Sequence, residues 1–309
     1  MIINTGQRTD IPAFYSKWFM NRIREGYVLV RNPYNPKEVI KYILDPKVVD
    51  VLGFCTKNPR PMLKYLDELE KYGQLWYITI TGFENDIEPN VPKIDDVIED
   101  FIYLSNKVGK NSVCLRYTPI IINEKYTLKR HIETFEYITS RLEGHTNLVT
   151  YGFLDLYPKL VINHPELKDT DDLNKIEITK AFIDIAKKHK MELRLCSKEK
   201  WLKEYGVIDG CMRISDYENS IGKNLNIIEK ESRKNYCKCY LSNDIGAYNS
   251  CPHLCKYCYA NSDNDVILNN YKMHDDNSPL LIGRLNKDDI IKNVEQKSNI
   301  NNEVTLFDL

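Results

Sequence analysis

Short runs of apolar, β-branched and aromatic residues recur along the chain, and between them lie longer stretches in which apolar positions return every three or four residues. The short runs predict strands at 2–4, 48–55, 75–81, 112–117, 148–154 and 191–196, with a shorter one at 207–212. The longer stretches predict helices at 94–107, 128–142 and 179–190. Asn35 followed by Pro36 reads as a helix start. Strand and helix in alternation predict βα units wound into a parallel sheet, so the expected class is α/β. A TIM-like β/α barrel, possibly partial, is expected over residues 1–218. An open doubly wound sheet is its rival, although no glycine-rich dinucleotide fingerprint supports it.

After Asn219 the pattern turns Lys-, Asn- and Cys-rich. Residues 219–309 are therefore expected to form a C-terminal cysteine-cluster region that packs on the barrel mouth. Within it, 287–295 has the spacing of an amphipathic helix, 279–282 is expected to pack back on the barrel, and 297–303 is expected to be weakly structured.

With 309 residues and 42% hydrophobic content the chain can bury a sizeable core. Nothing approaches the roughly 20 apolar residues of a membrane span, and the opening MIINTGQRTDIP lacks a basic-then-apolar leader, so a cytoplasmic protein without a membrane is expected. Lys and Arg number 43 against 44 acids, so no global positive field favours nucleic acid.

Functional groups of a barrel gather where strands end. Arg8, Asp10, Thr56 to Asn58, Glu84, Arg116 and Asp155 all follow predicted strands. Arg8 is a candidate carboxylate clamp that Asp10 would hold in place, and Asp10 is equally a cap for the helix opening at Ile11-Pro12. Lys57 and Asn58 are candidate donors or an ordinary turn before Pro59. Arg116 completes the ring, or is a buried arginine with a structural carboxylate.

Five of the nine cysteines crowd between 237 and 258, which points to ligand chemistry rather than disulfides. Cys251, Cys255 and Cys258 form Cys-x3-Cys-x2-Cys, and three thiolates can hold a [4Fe–4S] cluster with one iron open. Cys237 and Cys239 could add a fourth ligand and close the cluster, bind substrate, or bind another metal. Zinc in a structural knuckle is the alternative metal. Cys55, Cys114, Cys196 and Cys211 read as buried barrel residues. Upstream of the loop, Asp244 is a candidate for orienting backbone amides or a ribose hydroxyl, and Gly246 for a tight turn. His253 lies inside the loop, where contact with substrate and plain exposure are both open.

The string CPHLCKYCYA, with Tyr257 directly before the last cysteine, resembles the cluster loop of the radical S-adenosylmethionine superfamily, most nearly that of spore photoproduct lyase. The resemblance implies that Cys251, Cys255 and Cys258 hold the cluster, that S-adenosylmethionine chelates the open iron, and that Tyr257 flanks adenine. It also implies cleavage to a 5′-deoxyadenosyl radical and a reductant such as flavodoxin or ferredoxin. The superfamily places this loop after its first strand, and here it follows the barrel. The span from GQRTDIPAFY through TKNP and DIGAY to the cysteines resembles the uncharacterised family called domain of unknown function 1848, from which it departs at Cys55 and Thr118. The substrate is not encoded in any of these motifs. A structural or electron-transfer cluster protein and a nucleic-acid modifying enzyme are the competing expectations.

Overall fold

A computed structural model describes residues 1–196, 198–227, 239–240 and 243–301. Among these residues there are ten strands, interspersed with helices: β1 (Ile2–Asn4), β2 (Tyr27–Arg31), β3 (Glu38–Ile43), β4 (Val51–Thr56), β5 (Gly73–Thr79), β6 (Val113–Ile120), β7 (Leu148–Phe153), β8 (Glu192–Leu195), β9 (Ile208–Asp209) and β10 (Ile290–Asn293). Seven form one parallel sheet in the order β1-β4-β5-β6-β7-β8-β9, and β10-β3-β2 form a second, three-stranded sheet. The α/β class expected from the periodicity is what the chain forms.

Period-two alternation assigns the two faces of the large sheet. Leu52, Phe54, Trp76, Ile78, Leu115 and Tyr117 point to the face covered by the helices Ile94–Val108, Leu128–Arg141 and Asp172–Lys188. Ring pairs fix this packing, with Phe54 stacked on Trp76 at 3.9 Å and Phe135 on Phe182 at 3.7 Å. Val51, Leu75, Tyr77 and Cys114 point to the inner face, where they meet Cys211, Met212, Ile214 and Tyr217.

A closed TIM barrel is not formed: among the described residues no strand pairing joins β9 to β1. Helix Ile214–Ile221 covers the inner face of the sheet. Asp216 accepts both bonds from Arg194 Nη1, at 2.7 and 2.8 Å, and one from the Tyr77 hydroxyl at 2.8 Å. Nor does a cluster-bearing appendage stand apart. Residues 243–245 run beside β1, bonded to it at Asn4.

Two local expectations are overturned. Asn35-Pro36 starts no helix; it turns the β2–β3 hairpin, with Asn32 Oδ1 accepting from Tyr34 N and Asn35 O from Glu38 N. The amphipathic segment 287–295 is not helical either, because Ile290–Asn293 pairs in parallel with β3. At 35–36 the turn of a local hairpin, and at 290–293 pairing with a distant strand, outweigh a weak helix signal. The expected return of 279–282 is seen, with Leu280 bridged to Leu29 and buried. Residues 297–301 are bonded: Ser298 Oγ donates to Asp50 and Asn226 N to Asn299 O.

Asp216→Ala is expected to cost about 3–5 kcal/mol in urea denaturation, since it leaves the buried Arg194 guanidinium without its main partner. A loss below about 1 kcal/mol would show that Glu192 alone neutralises Arg194.

Candidate active site

All seven strands are parallel, so the residues that follow them share one edge, the mouth. The cysteine loop reaches it through β1. Asn4 N donates to Asn243 O at 3.1 Å and Ile245 N to Asn4 O at 2.9 Å, making a one-residue parallel bridge between Asn4 and Asp244. Gly6 lets the next turn pass under β4, since a Cβ there would lie 2.1 Å from Cys55 O. Arg8 then pairs with Asp244, Nε to Oδ1 at 2.8 Å, and Gln7 N and Gly246 N also donate to that carboxylate.

The Arg8–Asp10 clamp is thereby corrected: Arg8 is held by Asp244, 236 residues away, and Asp10 faces other donors. Asp10 caps helix Ile11–Phe14 through Ala13 N at 3.1 Å, as its position before Ile11-Pro12 implies. Its other oxygen accepts from Lys57 N at 2.8 Å and meets His253 Nε2 at 3.0 Å. His253 is buried, with Nδ1 at 2.9 Å from Asn90 O and its ring edge-on to Phe14. The loop histidine is thus a bolt between β1 and the cysteine loop. Asp244 orients backbone amides, one of its two candidate roles, and Gly246 fits closely, since a Cβ would stand 3.0 Å from Asp244 Oδ1.

Glu88 is the residue the sequence reading missed. It is 2% exposed, and its Oε1 receives Lys57 Nζ at 2.8 Å, Thr81 Oγ1 at 2.8 Å and the Tyr257 hydroxyl. Glu84, the acid singled out from the sequence, instead lies at the surface with Arg130 and Lys125. The available signal was the string IEPNVP: a carboxylate wedged before proline in the loop after β5, where an exposed acid has no need of rigid backbone. The same loop grips the cysteines by its backbone, with Lys256 N donating to Ile87 O and Asn90 Nδ2 to Pro252 O.

Cys251, Cys255 and Cys258 lie on one loop within residues 251–258, close enough for the charge of each to act on another. Burial, the largest effect on each, lifts all three thiols above the ordinary range. Opposing it, the backbone of Ala260 and Asn261 lies near Cys258, that of His253 near Cys251, and the Tyr257 hydroxyl, whose proton goes to Glu88, near Cys255. Lys57 lies near Cys255 and Cys258, and Lys159 near Cys258. Leu254, at φ 57°, bends the loop between its first two cysteines. Among the described residues no three His, Cys, Asp or Glu side chains are grouped to hold a metal ion. Three cysteine sulfurs with polar groups beside them are the donor chemistry a three-cysteine cluster would need. A cavity of about 130 Å³ flanks Cys255 and Cys258, with Lys159 and Asn261 among its walls.

Cys239 sits elsewhere, its Sγ 2.8 Å from that of Cys211, with Cys196 beside them. Cys237 lies outside the described residues. Of the cysteines read as buried barrel residues, Cys114 and Cys211 are buried, whereas Cys55 and Cys196 are half-buried. Arg116 lies among Cys55, Cys196, Cys211 and Cys239.

The sequence pattern of a family described as "Domain of unknown function (DUF1848)" matches residues 2–260. The chain belongs to this family. The DUF1848 match runs from β1 to just beyond Cys258, so it takes in both sides of the mouth. No curated protein and no solved structure matches the chain. Within this DUF1848 chain no helix of the described residues is long and apolar enough to cross a membrane.

Burial pushes the Cys55 thiol up to about 11, with Arg116 pulling the other way. Alkylation of Cys55 should therefore climb about tenfold per pH unit from pH 7 to 10, without the plateau near 8.5 of an ordinary thiol; peptide mass spectrometry reads the rate. Glu88→Ala should speed Cys255 alkylation several-fold, because Tyr257 and Lys57 lose their shared anchor. An unchanged rate would mean that the backbone bonds alone hold the loop.

Proposed function

We propose that this protein is a radical S-adenosylmethionine-type enzyme acting on a substrate held in the mouth. The observation that carries the reading is the cysteine loop itself: three half-buried cysteines in Cys-x3-Cys-x2-Cys spacing, bolted to the mouth through His253 and Tyr257, with Cys239 engaged by Cys211 instead. In this reading Cys251, Cys255 and Cys258 hold a [4Fe–4S] cluster and leave one iron for S-adenosylmethionine. When bound, the pair supplies a reducing electron and, from it, a 5′-deoxyadenosyl radical.

The chain's own groups position and shield. Asp10 and Glu88 fix the loop through His253 and Tyr257, which holds the sulfurs still relative to the strand ends. Lys57 Nζ remains on Glu88, 5.7 Å from the centre of the Tyr257 ring, and places positive charge beside the thiolates. Arg8 and Asp244 close the β1 side as an ion pair and keep water from that flank. The cavity beside Cys255 and Cys258 is the side from which a flavodoxin or ferredoxin would deliver electrons.

Anaerobic reconstitution is expected to give about four irons and four sulfides per chain. Cys251→Ala, Cys255→Ala and Cys258→Ala should each lose them, and Cys114→Ala should not. Stoichiometric zinc without iron would sink the proposal. In the reduced protein, S-adenosylmethionine should shift the paramagnetic resonance spectrum. An intact cluster indifferent to saturating S-adenosylmethionine would instead make it a structural or electron-transfer centre.

A further inference from the structure

Arg116 stands on the inner face of β6, two residues after Cys114 and on the same side of the strand. The deeply buried basic side chains carry carboxylates: Arg22 has Glu25, Lys175 has Glu199 and Asp169, and Arg194 has Asp216, whereas Arg116 is half-buried with a buried Nε. Arg116 has none within 4.0 Å among the described residues, and its buried Nε donates to no acceptor. Its surroundings are the sulfurs of Cys55, Cys196, Cys211 and Cys239. Cys55 and Cys211 do not supply the missing charge at neutral pH, because burial lifts Cys55 to about 11, while contact with Cys196 and Cys239 lifts Cys211 well above the ordinary value.

A guanidinium in such a place is costly unless an anion meets it. Arg116 is near the mouth: Tyr259, directly after the last loop cysteine, lies close to Asp244, Cys258, Arg116 and Cys55. We propose that Arg116 is the anchor for an oxyanion of the substrate, a carboxylate or a phosphate, held by the guanidinium fork between Cys55 and the cysteine loop. A planar fork with five donors suits either group in bidentate fashion. The inference rests on the mouth being the substrate site, and it does not need the cluster to be present. It narrows the substrate to an anionic molecule.

Cys55 reports on the site because its sulfur is hydrogen-bonded to Arg116 and half-buried. The full-length chain is treated with N-ethylmaleimide at fixed ionic strength, with sodium chloride exchanged for inorganic phosphate or for acetate, and Cys55 modification is followed by peptide mass spectrometry. One or both anions should slow modification several-fold with a saturable concentration dependence. Phosphate alone would indicate a phosphorylated substrate and acetate alone a carboxylate. Arg116→Gln should abolish the protection, and Arg116→Lys, which keeps the charge without the fork, should weaken it. Lack of protection by either anion, or equal protection in Arg116→Gln, would overturn the proposal. So would rapid, pH-independent modification of Cys55 in the wild type that disappears in Arg116→Gln, since the counter-charge would then be a thiolate. Should Arg116→Gln not fold, the lysine variant decides, because undiminished protection there also overturns it. Iron is measured in the same samples. Arg116-dependent protection in a chain that takes up no iron would remove the radical reading and leave the anion site standing, and the converse would do the reverse.

Discussion

The parallel bridge between Asn4 and Asp244 is the constraint on which the mouth depends. It consists of two backbone hydrogen bonds, each worth about 0.5–1.5 kcal/mol net, supported by the Arg8–Asp244 pair and by two further amides on the same carboxylate. That is little energy for an ordering step that brings residues more than 230 positions apart together. The folded sheet makes it sufficient: β1 is already pinned along its other edge by β4, so the later segment docks on a preformed strand. Once it is there, His253 meets Asp10 and Tyr257 meets Glu88, neither of which has any local reason to do so.

Two buried carboxylates then act as posts for the loop, each tying the loop to the ends of the parallel sheet and to Lys57. Asp10 takes the backbone of Lys57 and Glu88 takes its ammonium group. Their oxygens are met by several donors, as burial of a carboxylate demands. The thiols between them are less well compensated. Burial outweighs the polar groups that lie near them, so in the metal-free chain they stay protonated. A cluster would release those protons, and the polar groups already in place would then border sulfurs that carry charge.

The inner face holds a second concentration of sulfur, Cys55, Cys196, Cys211 and Cys239 around Arg116, distinct in its contacts from the loop. Its presence follows from alternation along β4 and β6, which turns Cys55, Cys114 and Arg116 inward, and from the segments after β9 that cover this face. The proposed radical chemistry uses the first group of thiols. The second borders the guanidinium that faces the same mouth.

Along the chain, period-two and period-3.6 patterns determined the class, most strands of the large sheet and the helices that cover it, because those patterns record which face of each element is buried. The helix cap at Asp10 and the cysteine loop were equally local, each written within a few residues. The hairpin Tyr27–Arg31 with Glu38–Ile43 and the strand Ile290–Asn293 were not, since their pairing decides their conformation. Nor did local sequence indicate that Arg8 pairs with Asp244 or that Cys239 lies against Cys211. Those choices were made by the tertiary structure, because a side chain's partner across tens or hundreds of residues depends on where the strands set the backbone, and no periodicity carries that information.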